Sequence, residues 1–148
     1  MKEVLQLLMA GAGSLGFAVL YNIRGKKLPV IALGGVASWA VYLLTRQLTG
    51  NDYASSFAAC VVLSLYAEIM AIIFKTPVTV FLVSVLIPLI PGAPLYRAMN
   101  SLMHGKVGEF AREGIYALLF AASMAAGITL TTLVFRTVRA KRYHRRHL

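Results

Sequence analysis

Five stretches of this chain approach the length at which a helix crosses a lipid bilayer, and no other feature limits the possible folds so strongly. Hydrocarbon about 30 Å thick asks for about 20 consecutive apolar residues per helix. Val4 to Ile23, Leu28 to Thr45, Tyr53 to Phe74, Thr76 to Tyr96 and Gly114 to Phe135 are of that order, and Glu68 is the one charged side chain inside them. Composition agrees, with 59% hydrophobic and 14% charged residues and a mean hydropathy of +0.74, far from a soluble domain. The expected fold class is an all-α integral membrane protein with five transmembrane helices, the fourth broken by prolines. Residues 1–136 form the five-span domain and residues 137–148 a basic cytoplasmic tail.

Met1-Lys2-Glu3 before an apolar run has the outline of a secretory signal. The run continues to Ile23 and begins without net positive charge, so it reads as the first span. Cys60 has no intrachain disulfide partner and reads as a small packing residue.

The basic residues assign orientation. Five crossings put Arg24, Lys26, Lys27, Lys75, Arg136, Arg139, Lys141, Arg142, Arg145 and Arg146 on one side, ten of the fifteen Lys and Arg. Lys2, Arg46, Arg97, Lys106 and Arg112 fall on the other, with Glu3, Asp52, Glu109 and Glu113. The positive-inside rule then makes the tail cytoplasmic and the N-terminus external. Without a crossing between Thr76 and Tyr96 the basic tail would be exported.

A net charge of +10 invites a nucleic-acid reading of "RTVRAKRYHRRHL", but no nucleic-acid motif accompanies it. The tail reads instead as a topology signal and an anchor on anionic lipid. His144 and His147 lack further ligands on their side, so no metal is expected. "GAGSLG" matches G-x-G-x-x-G without the strand and βαβ context that give the pattern meaning. Gly11, Ser14 and Gly16, with Gly34, Gly35, Ala37 and Ser38, read as close helix packing. The acids and nucleophiles form no catalytic constellation, so the chain is not read as an enzyme, and no cofactor is expected.

Two features carry functional candidates. Ser56, Cys60, Ser64 and Glu68 recur every four residues and put a small, polar stripe on one helix face. A carboxylate at membrane depth is costly and marks a pathway or an ion pair, Lys75 being the available structural partner. The second feature is "LIPLIPGAPLYRAM". Pro88, Pro91 and Pro94 withdraw amides from the carbonyls of Ser84, Ile87 and Ile90, and broken backbone at membrane depth is tolerated only inside protein or along a watery cavity. Thr76-Pro77 reads as the cap and first residue of one half-helix, and Pro94 as the opening of a second. That second N-terminus, with Gly92 in the turn and Tyr96 and Arg97 in the first turn, is expected to favour a carboxylate. The alternative is a packing kink. Asn22, Lys75, Thr76, Pro77 and Thr79 are lesser candidates for the pathway.

"TPVTVFLVSVLIPLIPGAPLYRAM" resembles the signature segment of the threonine/serine exporter family in its small, YjjB-like form, the ThrE C-terminal-type domain. "GFAVLYNIRGKKL" and "ASSFAACVVLSLYAEIMAIIFKTP" resemble its first and third membrane segments, so the likeness runs from about Leu5 to Phe135. The resemblance implies a secondary exporter of small hydrophilic metabolites in the bacterial inner membrane. Threonine, serine or dicarboxylates such as succinate are the implied substrates, and a larger YjjP-like subunit is the implied partner. It also implies use of the proton-motive force, for which Glu68 is the carboxylate at hand. A homo-oligomeric channel and an accessory scaffold without a substrate site remain as alternatives.

Overall fold

The computed structural model describes residues 2–144, with side chains as far as Thr137. It is 88% helical and has no strand among the described residues. In chain order the helices are α1 (Lys2–Leu20), α2 (Lys27–Thr49), α3 (Asp52–Phe74), α4 (Val78–Leu86), a 3-10 turn (Ile87–Leu89), α5 (Gly92–Met103) and α6 (Val107–His144). The backbone helix of α6 thus runs on into the sequence assigned to the basic tail, whose side chains lie outside the described residues.

Local chemistry sets the helix ends. Gly50 closes α2 at φ 64°, donating its amide to the Arg46 carbonyl, and the next residue, Asn51, caps α3 by accepting from the Tyr53 and Ala54 amides. A glycine in the left-handed region followed at once by an asparagine N-cap turns the chain in two residues. Lys75 ends α3 at φ 49°. Pro77, extended at ψ 140°, is then the cap position of α4. The expected cap at Thr76 therefore lies one residue early, and the Thr76 hydroxyl is buried without a partner.

Helices α1 and α2 approach where their side chains are smallest. A Cβ on Gly35 would lie 2.8 Å from the Ser14 Cβ and 3.0 Å from the Ala10 carbonyl oxygen, and one on Gly11 would lie 2.8 Å from Val36. Gly34 accommodates the Tyr66 ring and Val85 in the same way. Gly16 and Ala37, expected in this contact, are instead exposed. The core proper lies among α2, α3 and α4, where Ile31, Leu63, Phe81 and Val85 are fully buried. In lipid such packing carries the association, because hydrocarbon tails compete on equal terms for apolar side chains.

The run of α6 along α3 requires the chain to return between them. Tyr116 donates to Asp52 at 2.8 Å, Ser56 and Ser123 share a hydrogen bond, Gly127 lies against Phe57 and Cys60, and Thr131 reaches the Val61 carbonyl at 3.5 Å. Both sequences advance together, so the helices are parallel. The chain must therefore return to the Asp52 end between Phe74 and Val107. Nine residues of α4 and three of the 3-10 turn cover about 18 Å at helical rise, short of the hydrocarbon thickness. Helix α5, bent 57° from them, completes the crossing, and the fourth span ends near Met103, past the expected Tyr96. Arg97 to Glu113 at 3.1 Å and Ser101 to Glu109 at 3.3 Å then make α5 and α6 an antiparallel hairpin.

Two outcomes follow from this packing. In a Cys60→Ala background, Lys106→Cys should react with an impermeant thiol reagent from the face opposite to Arg24→Cys; labelling of both from one face would break the five-crossing arrangement. Gly35→Val should lower stability in bilayers by about 2 kcal/mol through overpacking. Gly13→Ala, with nothing within 4 Å of its Cβ position, should not lower the thermal midpoint, since alanine suits a helix better than glycine where there is room.

Candidate functional site

The proline segment keeps its backbone satisfied by tightening. The Ile90 amide donates to the Ile87 carbonyl at 3.3 Å, and the Gly92 amide to the Ile90 carbonyl at 2.7 Å. Pro91, at φ −76° and ψ 58°, is the centre of an inverse γ-turn, a conformation its ring favours. Two of the three carbonyls expected to lie free, those of Ile87 and Ile90, are thus occupied. Helix α5 opens at Gly92, two residues before the expected Pro94, and Gly92 does not adopt a positive φ.

This changes what the half-helix can offer an anion. A helix N-terminus binds through its unpaired amides, yet here the cap position and the third helical position are Pro91 and Pro94, which have none. The Gly92 amide is bonded to Ile90 and the Leu95 amide to Pro91. Only the Ala93 amide is left in this turn among the described residues. Arg97 pairs with Glu113 at 3.1 Å and is half exposed, while Tyr96 is 72% exposed. Neither borders the space that the break opens. In this structure Arg97 is thus engaged by Glu113 on α6 and lies apart from the Ala93 amide's side of the break.

What the break does build is a cavity of about 180 Å³, lined by Pro88 to Pro94, by Trp39 and Tyr42 of α2 and by Tyr116 and Phe120 of α6. Both tyrosines point their hydroxyls to one carboxylate. Asp52 accepts from Tyr42 at 3.2 Å and from Tyr116 at 2.8 Å, and Arg46 Nε completes the set at 2.8 Å. The group joins α2, α3 and α6 at the level of the break. The Trp39 ring stacks on Tyr42 with centroids 5.0 Å apart, and its indole nitrogen is buried without a hydrogen-bond partner. None of Trp39, Tyr42, Asp52 and Tyr116 was a sequence candidate. The available signal was the one-turn spacing of Tyr42 and Arg46 before a helix-initiating Asp52, which acquires meaning only when α6 delivers Tyr116.

Glu68 and Ser64 lie elsewhere. The whole stripe Ser56, Cys60, Ser64 and Glu68 is buried, so that face looks into protein as expected. The Ser64 hydroxyl has no partner, and Glu68 is 6% exposed. The ion pairs among the described residues are Arg46–Asp52, Arg97–Glu113 and Lys106–Glu109. Glu68 enters none of them, and Lys75, exposed at the end of α3, does not reach it. Sixteen residues separate Glu68 from Asp52 on α3, about 24 Å at helical rise, so the carboxyl and the proline cavity occupy different depths. Asn22 sits in the α1–α2 turn at φ 56° and accepts from Arg24. Pro77 and Thr79 are exposed where α4 begins.

The chain resembles one characterised group of proteins over most of its length: residues 6–134 match the family described as threonine/serine exporter, ThrE. No solved structure matches it. The matched range takes in all five crossings, the proline break and Glu68, and with it the chain belongs to the threonine/serine exporter ThrE family.

Proposed function

We propose that this protein is the small membrane subunit of a secondary exporter of small hydrophilic metabolites, threonine, serine or a dicarboxylate such as succinate, and that it acts with a larger YjjP-like subunit. It works as a carrier and not as an enzyme. It resides in a bacterial inner membrane with its N-terminus outside and its basic tail at the cytoplasmic, anionic-lipid surface. The observation that carries this reading is the cavity opened by the break in the fourth span. A packing kink needs no such space, and its volume, below the about 300–1,000 Å³ of drug-sized sites, suits a molecule of amino-acid size.

Glu68 supports proton coupling. It is a buried carboxyl inside a span with no ion-pair partner among the described residues, and such groups serve proton relays in carriers. Its depth, far from the cavity, suits a group that links proton movement to a change of packing along α3 without touching substrate. Small residues left unused by the bundle support a partner helix. Gly13 and Gly16 of α1 have open space around them, and Ala121, Ala122, Ala125 and Ala126 of α6 are exposed. Within the bundle, residues of this size mark the helix contacts.

Proteoliposomes containing this subunit with and without the larger one test the reading. Gradient-driven export of threonine, serine or succinate should need both; export at full rate by this chain alone would make it a homo-oligomeric channel. In the two-subunit system Glu68→Gln should cut gradient-driven export at least about tenfold at unchanged abundance. Pro91→Ala should also impair export, because the restored amide can bond the Ile87 carbonyl and extend the helix into the cavity. Unchanged export by both variants would leave the segment a packing feature.

A further inference from the structure

The proline cavity has a neighbour. A second cavity, of about 260 Å³, lies towards α1 beside Gln6, Met9 and Gly13, and Trp39 and Pro88 line both spaces. Trp39 and Pro88 are thus the two residues that the linings share. Pro88 is held in the 3-10 turn, whereas Trp39 can move about two side-chain torsions. Its ring is stacked on Tyr42, and its N–H is buried with no acceptor. A buried indole normally finds a partner for that group, and leaving it unpaired disfavours the conformation seen.

Donors around the proline cavity are scarce. Prolines 88, 91 and 94 have no N–H, the Gly92 amide is bonded to Ile90, and the Tyr42 and Tyr116 hydroxyls are directed at Asp52. Among the described residues that border it, the Trp39 indole and the Ala93 amide are the donors not already engaged. We propose that Trp39 is the gate between the two cavities and the donor that recognises the ligand. Its indole swings from the stacked position, gives its N–H to a carboxylate or hydroxyl oxygen of a small polar molecule, and joins the two spaces. The inference rests on reading the break as a substrate site and adds to it the specificity-determining residue, one on α2 in place of Arg97.

Trp39 is the chain's one tryptophan, which makes the movement observable directly. The full chain, grown with 5-fluorotryptophan and assembled in lipid nanodiscs with the unlabelled larger subunit, gives one fluorine resonance for the indole. L-Threonine, L-serine and succinate are titrated in turn, with scintillation-proximity binding measured in parallel. The expected result is a saturable shift of that resonance at the concentration at which binding is seen. Trp39→Phe keeps an aromatic ring but removes the N–H, and should weaken binding about tenfold. Binding by the wild-type protein with an unmoved resonance would overturn the gate and leave the substrate site standing, and so would unweakened binding by a folded Trp39→Phe. Failure of the wild-type complex to bind or export any of the three solutes would overturn the substrate site itself.

Discussion

In hydrocarbon a backbone N–H or C=O without a partner costs several kcal/mol, and the rest of this structure depends on meeting that demand. Four long helices meet it trivially. The fourth crossing carries three prolines and cannot, so it converts to a 3-10 turn and then an inverse γ-turn, in which Ile90 and Gly92 donate to carbonyls that a regular helix would have left bare. The change of geometry turns the segment by 57°. A cavity follows because two axes diverging from one point cannot both stay packed against straight neighbours. Trp39, Tyr42, Tyr116 and Phe120 border the resulting space without filling it.

Rigidity around that cavity comes from a second constraint, the placement of Asp52. Its carboxylate takes hydrogen bonds from α2 and α6 and an ion pair from Arg46, so three helices are bound together at the depth where the fourth crossing is weakest. Charge-assisted bonds of this kind are stronger than neutral ones. Lower in the bundle the cohesion changes character. Glycine and serine contacts, Gly35 against Ser14 and Gly127 against Phe57 and Cys60, replace ionic ones and let the backbones approach closely. Glu68 lies on that small-residue face of α3.

The membrane class, the helical content and the five crossings were legible in the sequence because each rests on local chemistry: apolar length, charge asymmetry and the missing amides of proline. The buried stripe from Ser56 to Glu68 was legible for the same reason, since residues four apart share a helix face in any surroundings. Half-helix limits were less so. Thr76 and Pro94 looked like starts, yet the helices begin at Val78 and Gly92, because the cap is decided by the turn that precedes it.

The site depended on contacts that no local pattern encodes. Arg97 follows the break in sequence, and α6 returns beside α5 and presents Glu113 to it. Asp52 looked like an exposed residue of the outer face until Tyr42 and Tyr116 converged on it from residues 10 and 64 positions away. The unpaired N–H of Trp39 lies where α1, α2 and the proline turn meet. By itself the sequence determined that this chain must cross a membrane and where it must break, since both depend on which groups each residue carries. Only the tertiary structure decided which side chains meet at the break, since that depends on the parallel run of α3 and α6 and the bend between them.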